Sequence, residues 1–317
     1  MKILVAGATG AIGRQLVPML VERGHDVAGV TRTPEKAGIV RSAGARPIVA
    51  DALDAAQVAD AVASFEPEVI VHELTALRAI DFRRFAASFA ETNRLRTEAT
   101  DHLLAAGRAV GVRRFVAQSY AGWPFERRGS AVKTEDAPLD PDPAAAMRES
   151  LAAIRHAESA VLDATWTEGV VLRYGNLYGP GTGLDGAAGE SAELVRRRQF
   201  PIVGNGAGIW SFVHVTDAAE ATVIAAERGP RGVYQIVDDE PASVSEWLPA
   251  LAAALGAPSP RRVPRWLGRL VAGEAVTVMM TEVRGASNER AKRVLGWRPR
   301  HASWRDWLGR AELERAA

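Results

Sequence analysis

The chain has 317 residues, 47% apolar and 24% charged, with a formal net charge of +1. That balance belongs to a globular protein with a large core, and the near-neutral charge gives no basis for nucleic acid or an anionic membrane as partner. Cysteine is absent, which excludes disulfides, thiol nucleophiles and thiolate metal sites.

Ile3 to Ala6 predicts a short apolar strand, followed by a turn punctuated by Gly7, Gly10 and Gly13 and a helix from Ile12 to Val21. Glycine at such a turn lets the backbone approach a pyrophosphate, and the helix start offers unpaired N–H groups to that anion. The dinucleotide is therefore expected over Gly7, Thr9, Gly10, Ala11, Ile12 and Gly13. Met1 leads directly into this strand, and no apolar run reaches membrane-spanning length. No signal peptide and a cytoplasmic location are expected.

Strands are predicted at Asp26 to Thr31, Ala45 to Ala50, Val69 to His72, Arg114 to Gln118 and Val170 to Arg173. Helices are predicted at Leu53 to Phe65, Phe82 to Val110 and Ala144 to Ala164. This alternation predicts an α/β fold with a doubly wound parallel sheet, whose ligands bind beyond the carboxyl ends of the strands. After about Leu177 the elements shorten: Glu190 to Arg198, Phe212 to Val215, Asp217 to Glu227, Val233 to Val237, and Val244 to Leu255 ending at Gly256. The expected division is a dinucleotide-binding domain at 1–176 and a mainly substrate-binding lobe at 177–317, with segments returning to the sheet.

Several ordered motifs resemble the extended short-chain dehydrogenase/reductase family, the nucleotide-sugar epimerases and dehydratases and their relatives. They are the glycine turn, Val69-Ile70-Val71-His72, Asn93 in Glu91-Thr92-Asn93-Arg94-Leu95, and Arg114-Phe115-Val116-Ala117-Gln118-Ser119. The most specific is Val171-Leu172-Arg173-Tyr174-Gly175-Asn176-Leu177-Tyr178-Gly179-Pro180-Gly181, followed by Phe212-Val213-His214-Val215-Thr216-Asp217 and Leu295-Gly296-Trp297-Arg298-Pro299. The resemblance implies a Rossmann-type fold. It also implies cofactor contacts from Asp51 and Ala52 near the adenine, Leu74 and Thr75 at the ribose, and Asn93, Gln118, Tyr174 and Asn176. A homodimer paired through helices at about 93–110 and 147–164 is implied as well.

The second strand ends in Val30-Thr31-Arg32-Thr33 rather than in an acid. An acid there would bind the ribose 2′-hydroxyl and repel a 2′-phosphate, whereas Arg32, helped by Thr31, can pair with that phosphate. NADP(H) is therefore favoured, with NAD(H) as the alternative.

The family moves a proton with a Tyr whose pKa is lowered by a Lys four residues on; an unassisted phenol, pKa near 10, is a poor base. The four tyrosines here, Tyr120, Tyr174, Tyr178 and Tyr234, have no such partner. An ungapped count from Arg173 puts Met147 and Leu151 at the Tyr and Lys positions, and anchoring on Glu158 puts Ser150 and Ile154 there. Both registers lose both residues. Trp210 also stands about where relatives acting on nucleotide sugars carry an Arg for the diphosphate. An indole offers a flat apolar surface instead, so a small, weakly charged, cyclic or aromatic substrate is expected, with Asn176, Tyr178, Trp210, Met147 and Leu151 around it. The resemblance makes Ser119, at the end of the fifth strand, a catalytic candidate. For proton handling the candidates are Tyr120, beside it, and His156, whose pKa suits proton transfer at neutral pH, with water or another residue of the 147–156 helix as further sources. Glu73 is open to packing or catalysis. No His or acidic spacing suggests a metal.

The expected activity is NADPH-dependent reduction of a carbonyl or imine. The alternatives are a cofactor-bound isomerase, dehydratase or lyase without net redox, and a non-catalytic NAD(P)-sensing regulatory protein.

Overall fold

The computed structural model describes residues 1–77, 81–185 and 189–308. Seven parallel strands form the central sheet. The first five are β1 (Lys2–Ala6), β2 (Asp26–Thr31), β3 (Arg46–Val49), β4 (Val69–His72) and β5 (Arg114–Tyr120). Across the sheet the order is Gly232–Ile236, Glu168–Tyr174, β5, β4, β1, β2, β3. Ile3, Leu4, Val5, Val69, Ile70 and Val71 are wholly buried, as a parallel sheet covered on both faces requires.

The first six helices are α1 (Ala11–Glu22), α2 (Ala37–Ser42), α3 (Ala55–Phe65), α4 (Phe85–Arg94), α5 (Thr100–Ala109) and α6 (Arg148–Asp163). One layer is built from α1 and the helix Val215–Arg228, which pack on each other and on Val5, Val71, Val116 and Leu172. The other carries α3 and α5, joined by Val161 of α6, against Leu4, Ile70, Phe115 and Val171. Each Val, Leu or Phe side chain buried this way contributes about 1.5–3 kcal/mol. Asp54 caps α3, its Oδ1 accepting from the Ala56 and Gln57 N–H groups at 3.0 and 3.1 Å. By contrast α1 starts at Gly10 with no side-chain cap, so its first N–H groups are left for a ligand.

The helix expected from Phe82 to Val110 is interrupted. A π turn, Leu95–Ala99, separates α4 from α5. β5 runs two residues past its expected end, setting Ser119 opposite Arg173 and Tyr120 opposite Tyr174. Beyond the sheet, Asn176–Tyr178 pairs with Phe212–His214, and Ile209–Trp210 with Ala242–Ser243. Tyr178, Phe212, Trp247 and Trp304 form a separate aromatic core there. Among the described residues no helix is long and apolar enough to cross a membrane.

Candidate active site

Because the strands are parallel, their carboxyl ends bring Gly7, Arg32, Asp51, Glu73 and Tyr120 to one edge of the sheet. The glycine turn is built for close approach. Gly7 has φ +98°, its carbonyl accepts from the Gly10 N–H at 3.0 Å, and a Cβ on Gly13 would stand 2.3 Å from that carbonyl oxygen. Thr9, Ala11 and Ile12 complete the turn into α1. At the end of β2 Arg32 is exposed and pairs with Glu91 of α4 at 2.7 Å; Glu91, and more weakly Asp51, hold its pKa above the ordinary value. Thr31 is buried, with its hydroxyl turned to Thr33. Asp51 caps the Leu53 N–H at 3.0 Å, and the Ala52 carbonyl is bound by His102 at 3.1 Å. Leu74 accepts from the Gln118 side-chain amide at 2.8 Å, with Thr75 exposed beside it. Both amide atoms of Asn93 are buried without a partner. The glycine cradle and this orphaned amide fit a bound dinucleotide.

Tyr120 ends β5. Its hydroxyl donates to Asn176 Oδ1 at 2.9 Å, and Asn176 is itself fixed by donating to the Ser211 carbonyl at 3.0 Å. Gly122 leaves room for the ring: a Cβ there would stand 3.1 Å from Cε1. Burial pushes the Tyr120 hydroxyl up to about 12, so at neutral pH it is a hydrogen-bond donor and not a base. Around it lies an apolar cluster that includes Phe85, Trp123, Met147, Leu151 and Ile154. Trp210 packs at its margin, with Nε1 donating to the Met279 carbonyl at 2.9 Å.

Several expected roles are corrected. His156 is exposed on the outer face of α6 and pairs with Asp101 of α5 at 2.8 Å, away from Tyr120. The Ser119 hydroxyl donates to buried Glu158 at 2.6 Å, so it holds α6 to the sheet and is not free for a substrate. Tyr174 follows Val170 and Leu172 into the layer of α1 and the helix Val215–Arg228. There it hydrogen-bonds Glu73 at 2.8 Å and Thr222 at 2.6 Å, leaving no side-chain group for a cofactor. Tyr178 is 1% exposed and packs on His214 and Trp307 in the aromatic core, not in the cluster around Tyr120. Met147 and Leu151 are each 1% exposed, so they wall the site as core residues.

Of the two readings open to Glu73 the structure shows packing, against Tyr174, whereas Arg96 was missed. Arg96 is buried in the π turn. No sequence signal marks it, because the π turn breaks the regular helical period. Glu73 is pushed up to about 8 by burial, and its Oε2 has no partner. No group of acidic or His residues among the described ones could hold a metal ion.

Residues 3–236 match the NAD dependent epimerase/dehydratase family. The chain is 46% identical over 315 residues to a 3-diazoavenalumate denitrifying reductase of a Streptomyces species, covering 98% of this chain and 100% of that protein. It is 30% identical to a 4-hydroxy-2-methyl-3-oxo-4-farnesyl-3,4-dihydroquinoline-1-oxide ketoreductase of Stigmatella aurantiaca, covering 81% and 74% of the two chains. Among solved structures it resembles the UDP-glucose 4-epimerase of Thermus thermophilus in complex with NAD. There the TM-score is 0.70 and the identity 26%, over 95% of this chain and 94% of that one.

Proposed function

The chain belongs to the NAD dependent epimerase/dehydratase family, and from that premise we propose that it is an NADPH-dependent reductase of an activated, weakly charged aromatic or cyclic substrate. The observation that carries this reading is the replacement of the family's proton relay. Both possible registers on α6 put uncharged side chains in its place, Met147 and Leu151 or Ser150 and Ile154, and all four are buried.

NADPH supplies a hydride when bound. Gly7, Gly10 and Gly13 would hold its pyrophosphate, the start of α1 would meet the charge, and Arg32 would pair with the 2′-phosphate on leaving Glu91. Asn93 would satisfy its buried amide on the same ligand. The apolar wall around Tyr120 excludes water and stacks a ring.

A site without a relay suits a reduction that needs no proton from the protein. The 46% identical relative is named for removing nitrogen from a diazo compound, and such chemistry has that property. Hydride and R–N₂⁺ give R–H and N₂: a C–H bond forms, the C–N bond breaks, and its electron pair leaves with dinitrogen. We assign this chain to the same class of substrate. A second reading, carbonyl or imine reduction, is favoured by the Tyr120 hydroxyl, a positioned donor that can polarise such a group. The 30% identical ketoreductase supports it.

The test supplies NADPH with a panel of hydroxyaryl diazo compounds, ketones and imines, following cofactor absorbance and products by mass spectrometry. Consumption of NADPH with release of dinitrogen and the matching arene is expected. Cofactor binding by calorimetry without oxidation on any of the panel would overturn the reductase reading in favour of non-redox chemistry or sensing.

The reading extends to a cytoplasmic homodimer. The outer faces of α5 and α6 lie side by side, with exposed Ala152 allowing close approach beside the Asp101–His156 pair. Sedimentation at micromolar concentration should give the mass of two chains, and a monomer would count against it.

A further inference from the structure

Arg96 is 6% exposed, and its Nε and Nη1 are buried with no hydrogen-bond partner. Desolvating a guanidinium and leaving donors unpaired opposes folding unless a ligand satisfies them. The residue lies in the π turn Leu95–Ala99, which packs against α6. Such turns insert one residue into a helix and occur often at functional sites.

The surroundings compensate its charge only in part. Arg96 acts electrostatically on both Glu158 and Tyr120. Glu158 is already engaged: Oε1 accepts from Ser119 at 2.6 Å and from Arg173 Nε at 2.7 Å, and Oε2 accepts from Arg173 Nη2 at 2.7 Å. His72, nearby, is pushed down to about 4 by burial and adds no charge. Two guanidiniums thus share one carboxylate, beside a tyrosine hydroxyl and an apolar wall.

We propose that Arg96 and Tyr120 form a binding site for an anionic oxygen of the substrate, of the phenolate or enolate kind, conjugated with the centre that takes up hydride. Arg96 has two donors without a partner, and the Tyr120 hydroxyl, which otherwise donates to Asn176, turns its one proton to such an oxygen on binding. In a hydroxyaryl diazo compound the phenolate charge offsets the diazonium charge, which keeps the whole molecule weakly charged. Holding the negative charge on oxygen withdraws electron density from the diazonium end and favours hydride attack there. The assignment rests on the reductase reading and adds to it the charge of the substrate.

The probe is 4-nitrophenol, whose absorbance distinguishes phenol from phenolate, titrated against the protein with and without NADP⁺. Wild type should prefer phenolate and lower the probe's apparent pKa. Arg96→Met should bind phenolate about tenfold or more weakly and remove that shift. Its melting temperature should be unchanged or higher, because an unpaired buried charge has been removed. Arg96→Lys should keep part of the preference. A folded Arg96→Met that binds phenolate like wild type overturns the assignment. So does a wild type with no preference for phenolate, or a fully stable Arg96→Lys that binds phenol and phenolate equally when Arg96→Met fails to fold. None of these readouts needs turnover, so failure of NADPH oxidation alone counts against the reductase reading and not against this site.

Discussion

Arg173 and Glu158 form a bidentate pair, Nε to Oε1 and Nη2 to Oε2, both 2.7 Å, with each side chain more than nine-tenths buried. Arg173 comes from the sheet and Glu158 from α6, so the pair locks the helix that walls the site to the strand beside Tyr120. Breaking one partner of a buried pair leaves the other charge uncompensated, which costs about 3–5 kcal/mol. Glu158→Ala should lower unfolding stability in urea by that order, and a loss below about 1 kcal/mol would mean that Arg173 finds another partner.

Gly13→Ala should abolish cofactor binding with the sheet intact. The new Cβ would stand 2.3 Å from the Gly7 carbonyl oxygen and 2.7 Å from the Ala8 carbonyl carbon, both backbone atoms that cannot turn aside. Calorimetric titration with NADPH and NADH should give no heat for either, while circular dichroism keeps its native form. Retained binding would show that the turn can open without losing its anion site.

Arg32→Ala should weaken NADPH far more than NADH, because the guanidinium would pair with the 2′-phosphate, a group that NADH does not carry. A bidentate charge-assisted interaction is worth about 1.5–3 kcal/mol, or roughly tenfold to a hundredfold in affinity. Arg32 is held by Glu91, so Glu91→Gln should strengthen NADPH binding by freeing it. Equal weakening of both cofactors in Arg32→Ala would remove the basis for NADP preference.

Tyr120→Phe tests the hydroxyl as a positioned donor. Acid catalysis or oxyanion stabilisation by such a group contributes about 10²–10⁴-fold. Turnover should fall by at least about tenfold, with NADPH affinity nearly intact. Full activity in the variant would exclude the Tyr120 hydroxyl both as proton donor and as a group that stabilises charge on the substrate oxygen.

The sheet and the glycine turn were legible because both are local codes. Ile3 to Ala6 and Val69 to His72 are apolar runs of strand length, and Gly7 and Gly13 mark backbone that tolerates no side chain. Orientation was harder. Tyr174 and Asn176 sit two residues apart near a strand end, yet only Asn176 meets Tyr120, because the Tyr174 hydroxyl is taken by Glu73 and Thr222. His156 carries suitable chemistry on the wrong face of α6, which only the packing of that helix decides. Arg96 was hidden because a π turn breaks the 3.6-residue period, so positions after Leu95 could not be assigned a face by counting along a regular helix.

Glu73 gives the pH dependence. Burial raises its pKa from 4.5 to about 8, with only the Tyr174 hydroxyl opposing the shift. The native state therefore holds a proton that the unfolded chain has released between about pH 4.5 and 8. Stability falls with pH wherever the native state binds more protons. The contribution from Glu73 is thus fully present below about 4.5, declines as pH rises through about 8, and changes no further above it. Glu73→Gln mimics the protonated form and keeps an oxygen for Tyr174. The stability difference between the variant and wild type should grow in favour of the variant from pH 5 towards pH 9, read from urea midpoints across the range. Parallel curves would mean that Glu73 is ionised in the native state throughout, with an internal partner for Oε2 that opens only when it is charged.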